Sequence, residues 1–250
     1  MFLPFGDEPN APQTRVMTYG LIALNIAVWV FVCAPLAHQP ASPNDPHLAA
    51  YLHSIGLDLW QGRMVQGISA YDVWLYTHAF APARFSLATL FTSLFLHAGW
   101  LHLLGNMLFL YIFGDNVEAH LGRGLYLAVY LVTGAIGTLC YALFSPHSQG
   151  VVIGASGAIC GIMGCYLVLY PHNRVRVFVF FVLFVDIVYV PARVVLSVWM
   201  VLGNLLPWLR HASGGIAYGA HVGGFAAGAG FAALHGRLVR CRAQPRRRPR

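Results

Sequence analysis

Charge is what this chain is short of. Only 9% of its 250 residues are Asp, Glu, Lys or Arg, against roughly a quarter in soluble domains. With 58% apolar residues and a mean hydropathy of +0.64, that shortage excludes an ordinary soluble globule and points to the lipid bilayer. Lysine is absent, so all fifteen basic residues are arginine. Seven of them fall in the terminal GRLVRCRAQPRRRPR. There they suit a cytoplasmic flank that sets topology and touches anionic lipid, and nucleic acid is not an expected partner. Cys33, Cys140, Cys160 and Cys165 lie in apolar segments and Cys241 in the basic tail. No disulfide framework and no CxxC metal site is expected from that placement. There is no HExxH, and aspartyl chemistry, which needs two membrane acids, is disfavoured with Asp186 as its candidate. An internal repeat of the transporter kind is missing too. The opening MFLPFGDEPNAPQTRV lacks the charged start and short apolar run of a removable signal peptide.

What is present is a series of apolar runs. A helix needs about 20 residues to cross the hydrocarbon core, and the chain supplies six: about 16–36, 99–116, 123–144, one from Ser156 to Tyr170, 192–206 and 217–236. The expected fold class is therefore all-α, a polytopic six-helix bundle. Residues 1–15 form a cytoplasmic segment, 16–238 the membrane domain, and 239–250 a basic tail expected to be disordered. Between the first two spans, residues 37–98 read as an elaborate loop whose apolar end, FSLATLFTSLFLH, lies in or on the membrane. Pro191 divides the apolar run 177–206, because proline breaks the helical hydrogen-bond ladder. FVFFVLFVDIVYV before it reads as interfacial or re-entrant, since Asp186 is costly in lipid. Six spans place both termini on one side. Arg15, Arg123, Arg174, Arg176 and the seven tail arginines share that side, against Arg63, Arg84 and Arg210 on the other. The positive-inside bias makes the first side cytoplasmic and puts Ser156 at the outward end of its helix.

Polar groups within apolar helices are expensive and are functional candidates by default. The short list is Ser156, His97, His102, Asn106, Glu118, Asp186 and His221. A lone membrane serine usually bonds back to a carbonyl or packs between helices. Here glycine changes the reading. At 100° per residue, Ser156, Gly157, Cys160, Gly161 and Gly164 share one helical face, and His221, Gly224 and Gly228 share another. Two faces of small residues can approach closely. Their packing would bring hydroxyl and imidazole within reach, with Gly154 and Gly157 admitting backbone and partner helix. A hydroxyl needs a base to become a nucleophile, and neutral histidine serves near pH 7. No acid lies in or beside the last span, so the expectation is a Ser156–His221 dyad rather than a triad. His102 and Asn106, at i and i+4, face one way. Their N–H groups, with the Ser156 backbone N–H, would form an oxyanion site.

GASG at a helix start, HAGWLHLLGN, and AHVGG in the last span closely resemble the rhomboid intramembrane serine proteases, over nearly the whole chain. The resemblance implies Ser156 as nucleophile, His221 as base, and His102 and Asn106 as the oxyanion pair. It matches His97 and Glu118 to positions bracing the first loop and second span, and DIVYVPA to the stretch before a gate-like fifth helix. Two departures stand out. Ala88 and Thr89 occupy positions where the family often has Trp-Arg, and Cys160 stands where many members carry Tyr or Phe. The expected activity is cleavage of single-span membrane proteins near their outward boundary, with no cofactor and no metal, in what the resemblance suggests is a bacterial inner membrane. The main rival is a rhomboid-like pseudoprotease that binds membrane segments without cutting them. A zinc hydrolase using His97, His102 and His221 is disfavoured because no carboxylate lies near.

Overall fold

A computed structural model describes residues 2–10, 15–57, 67–181, 184–212 and 215–243. Arg63 and the tail from residue 244 therefore lie outside the described residues. The fold is mostly helical, at 67%. A short strand, β1 (Phe2–Glu8), leads to α1 (Val16–Ala37), whose apolar side chains carry a mean hydropathy of 2.2. Three short helices occupy the loop that follows. These are α2 (Leu48–Ser54), α3 (Ala70–His78) and α4 (Leu87–Phe95). A capping box starts α3: the Ser69 hydroxyl accepts from the Asp72 N–H while the Asp72 carboxylate accepts from the Ser69 N–H. The chain then bends by 87° into α5 (Trp100–Leu121).

Gly122, at φ +76°, turns the chain directly into α6 (Arg123–Phe144), a conformation that favours glycine. After a loop come α7 (Ser156–Leu169), strands β2 (Arg174–Phe181) and β3 (Phe184–Pro191), then α8 (Ala192–Leu209) and α9 (Tyr218–Ala243). Helix α8 begins just after Pro191, as expected, and includes a π-helical turn at Val201–Leu205. Helix α9 extends to Ala243, past the start expected for a disordered tail.

Helix α7 is the axis of the bundle, with every residue from Gly157 to Tyr166 buried. Helix α9 touches it backbone to backbone. A methyl on Gly228 would stand 1.8 Å from the Gly161 carbonyl oxygen, and one on Gly224 2.1 Å from that of Gly157. A methyl on Gly137 of α6 would stand 2.4 Å from the Ala220 carbonyl oxygen. Three helices thus share a seam of small residues, where van der Waals packing replaces the hydrophobic drive that lipid removes.

The segment 177–190, expected to be interfacial or re-entrant, forms most of a β-hairpin, in which Val175 pairs with Val190 and Phe178 with Ile187. Strand β1 adds to it, Glu8 opposite Arg174, giving an antiparallel sheet in the order β1-β2-β3. The fold is thus not purely α. Asp186 is exposed on the hairpin and not buried in the bundle. Pairing with β1 ties the segment before α1 to the segment after α7.

Buried polar bonds fasten the same end. The Glu118 carboxylate accepts from the Met17 N–H at 2.9 Å and from the Thr18 N–H and hydroxyl at 2.8 Å each. It thereby satisfies donors that the first turn of α1 leaves without intrahelical partners. Arg15 pairs with Asp115 at 3.0 Å. Asp7 accepts from Asn116 at 2.8 Å and from the Tyr166 hydroxyl.

By length and composition, α1, α6 and α8 can each cross a membrane, and the bent pair α4–α5 makes a fourth span if taken as one. The other two expected spans do not meet that test. Helix α7 has only 14 residues. The Gly- and Ala-rich α9 is not among the spans that pass.

Candidate active site

The structure brings Ser156 and His221 together. Ser156 is the first residue of α7, and its Oγ lies 2.7 Å from His221 Nε2, on the first turn of α9. The glycine seam sets this spacing. Its critical contacts are Gly224 against Gly157 and Gly228 against Gly161. At Gly157 itself a methyl would meet its neighbours at 3.6 Å or more, so its carbonyl, not its missing side chain, marks the close approach. Cys160 is buried one turn along α7 and lines the same cavity.

The other ring nitrogen of His221 reaches a residue that sequence reasoning missed. Nδ1 lies 2.7 Å from Oδ1 of Asn204, in the π-helical turn of α8. The signal was available, because an asparagine in an apolar run meets the criterion that singled out Asn106. Trp199 faces His221 nearly parallel, with ring centroids 6.4 Å apart.

His102 and Asn106 also line the cavity, opposite the Gly154 backbone. Gly154 adopts φ +117°, and a methyl there would fall 2.8 Å from His102 Cε1 and Nε2. Glycine is thus required for both conformation and space. Its N–H donates to the Ser93 carbonyl at 2.9 Å, holding the loop before α7 against the end of α4. The Ala98 N–H donates to His102 Nδ1 at 3.3 Å. That bond leaves the ring proton on Nε2, the nitrogen turned toward Gly154. Asn106 is buried, with its Nδ2 donor unpartnered.

His97 is fully buried and does not line the cavity. It meets the His102 ring edge-on at 5.1 Å, while its carbonyl accepts from the Tyr71 hydroxyl at 2.8 Å. It stands behind His102. Glu118 is not brought to the site. Sixteen residues beyond His102 on α5, it lies about 24 Å along the helix, holding the start of α1 instead.

The cavity measures about 690 Å³, and its walls are mainly apolar, including Leu101, Phe109, Met163, Trp199 and Ile216. Among the described residues, no group of three or more His, Cys, Asp or Glu side chains is placed to hold a metal ion. The arrangement comprises a hydroxyl bonded to an imidazole, that imidazole bonded to an amide, and two N–H donors facing a glycine turn. Chemically it is suited to nucleophilic acyl transfer.

Comparison with known proteins agrees on the class. The rhomboid domain model matches residues 84–238, and the chain belongs to the rhomboid family. It is an integral membrane protein. Rhomboid protein 1, mitochondrial, of Saccharomyces cerevisiae is 34% identical over 137 residues, covering 53% of this chain and 37% of that protein. The putative rhomboid protease YdcA of Bacillus subtilis is 41% identical over 78 residues, or 31% of this chain and 39% of that one. The rhomboid protease GluP of the same organism is 40% identical over 85 residues, or 34% and 16%. The chain thus covers well under half the length of each of these relatives.

Proposed function

We propose that the protein is an intramembrane serine endopeptidase. The observation that carries this reading is the 2.7 Å contact between Ser156 Oγ and His221 Nε2 within an apolar cavity. His221 takes the Ser156 proton as Oγ attacks a peptide carbonyl, then delivers it to the departing amine. Negative charge on the carbonyl oxygen is met by His102 Nε2–H, the Asn106 amide and the Ser156 backbone N–H. Water then hydrolyses the acyl-enzyme, with His221 as base again. These steps call on no metal or cofactor.

The short α7 supports a site within the membrane. Fourteen residues rise about 21 Å, against a hydrocarbon core of about 30 Å. With six spans and both termini cytoplasmic, its start at Ser156 lies below the outward surface. The substrates are single-span membrane proteins cut near that boundary. A helical peptide bond is shielded until the helix unwinds, so Gly, Pro or polar residues near the cut favour cleavage. The glycine-lined floor favours a small residue such as Ala just before it. One six-span core suits a bacterial inner membrane.

A fluorophosphonate probe tests the reading. Wild type should label at Ser156, and Ser156→Ala and His221→Ala should each abolish labelling and cleavage while keeping the fold. Near-normal turnover of a transmembrane substrate by either variant refutes it. An unlabelled wild type that still binds membrane segments would favour the pseudoprotease instead.

A further inference from the structure

The bond between His221 and Asn204 carries an inference that rests on, and deepens, the proteolytic reading. Asn204 is 3% exposed, in the middle of an apolar helix. Its amide orientation is settled locally, because Nδ2 donates to the Trp199 carbonyl at 3.2 Å, five residues back in the wide π-helical turn. Oδ1 must then face His221, and an amide oxygen only accepts. The proton on the imidazole therefore sits on Nδ1. Nε2 is left with a lone pair aimed at the Ser156 hydroxyl, 2.7 Å away. The chain runs Ser156 Oγ–H to Nε2, Nδ1–H to Oδ1, and Nδ2–H to the carbonyl of Trp199. Each donor meets an acceptor, and the imidazole sits in the tautomer that general-base chemistry requires.

We propose that Asn204 is a positioning residue for His221, the third member of a Ser–His–Asn relay in which a neutral amide serves where no carboxylate is present. Isolated π-helical turns occur frequently at functional sites, and this one sets the amide against the imidazole. The relay also ties catalysis to α8, whose membrane-length stretch is only 22% buried. A displacement of α8 by about 1 Å would carry the 2.7 Å bond beyond hydrogen-bonding range.

The experiment uses the full chain in detergent, with Asn204→Leu, Asn204→Ser and Asn204→Asp. Leucine keeps the volume and removes the acceptor. Serine is common in membrane helices and is too short to reach Nδ1. Aspartate keeps an oxygen at the Oδ1 position whether or not it is ionised. The expected result is a fall in kcat of about 10–100-fold in the Leu and Ser variants, with KM within about twofold and a parallel fall in the rate of fluorophosphonate labelling. Asn204→Asp should restore at least a third of wild-type kcat. If the Leu or the Ser variant folds and works at the wild-type rate, the proposal is overturned. It is equally overturned if Asn204→Asp folds but is as slow as they are, since Asn204 would then act by shape alone. Activity retained by Ser156→Ala or His221→Ala would instead sink the proteolytic reading itself, so the two failures are distinguishable.

Discussion

Adding one methyl group at Gly224 should disable the site without touching a catalytic atom. An alanine Cβ there falls 2.1 Å from the Gly157 carbonyl oxygen and 3.0 Å from its carbon. The obstacle is backbone in a buried helix, so no side chain can swing aside. Reaching ordinary contact near 3.4 Å requires α9 to retreat from α7 by roughly 1 Å or more. His221 lies three residues before Gly224 on α9, and its contact to Ser156 is 2.7 Å. The same retreat stretches that contact beyond about 3.5 Å, the edge of hydrogen bonding. Misplacement by about 1 Å costs about 10²-fold in rate, and overpacking costs about 1–3 kcal/mol of stability. Gly230→Ala is the control, because a methyl there meets nothing within 4 Å on the same helix. Turnover of a model transmembrane substrate and thermal unfolding in one detergent give both readouts. Gly224→Ala should lose about two orders of magnitude in kcat and some stability, and Gly230→Ala neither. A fully active Gly224→Ala enzyme would refute the claim that the glycine seam sets the catalytic distance.

Three further outcomes are expected. Asn106→Ala should lower kcat by about 10²–10³, the usual cost of one oxyanion donor, and a rate within twofold of wild type would remove Asn106 from the site. Cys160→Ala should remain active, because Cys160 is buried one turn beyond Ser156 and the Ser156–His221 bond does not involve it; loss of activity in Cys160→Ala with Ser156→Ala active would indicate a cysteine mechanism. Burial raises the Asp7 carboxyl to about 6, opposed by bonds from Tyr166 and Asn116, while nearby Asp115 adds to the rise and Arg15 counters it. The folded protein therefore holds this proton between roughly pH 4 and 6 where the unfolded chain has released it, so Asp7 costs stability as pH rises through that window. Wild type should lose thermal stability relative to Asp7→Asn from pH 4 to 7, and parallel curves would contradict the assignment.

The helices were legible because lipid imposes a simple rule: long apolar runs bounded by breaks. Arg123–Phe144 follows its expected limits, and α8 starts at Ala192, after the proline that ends the strand. The sheet was obscured by the same rule. A continuous apolar run reads as buried helix or strand alike, and FVFFVLFVDIVYV reads only as interfacial or re-entrant. The alternation Arg174-Val175-Arg176-Val177 and the many β-branched residues were the strand signal. The partner strand was harder to see, because FLPFGDE contains proline and glycine and pairs with a segment some 170 residues away. In the site, Ser156, His221, His102 and Asn106 were visible as polar residues at helical spacing. Asn204 carried the same signal, an asparagine in an apolar run, but its tie to His221 was not legible, because only the π-helical turn and the fold of α8 against α9 make them neighbours.

Which polar groups are paired separates structural from chemical roles. Thr133 returns its hydroxyl to the Val129 carbonyl at 2.7 Å, and Asn25 donates to the Leu21 carbonyl at 2.8 Å. Both bonds close within one helix, as polar residues buried in membrane helices usually do. Asn106 is also buried yet leaves Nδ2 without a partner, in a cavity wall facing Gly154. Unpaired buried groups also occur at the Asn25 Oδ1, Trp29, Arg84, His97, Tyr130 and Arg176, none of which lines the cavity. An unpaired amide donor costs about 1–3 kcal/mol. It is intelligible if the donor awaits an oxygen that gains charge only during reaction, because a preorganised donor then stabilises the transition state more than the ground state. The opposite wall follows the opposite logic. Ser156, His221 and Asn204 are paired in sequence, and in the proposed reading that pairing holds one proton in one place before the substrate arrives. On that reading, a paired relay faces an open amide donor at Asn106, which is the asymmetry that acyl transfer requires.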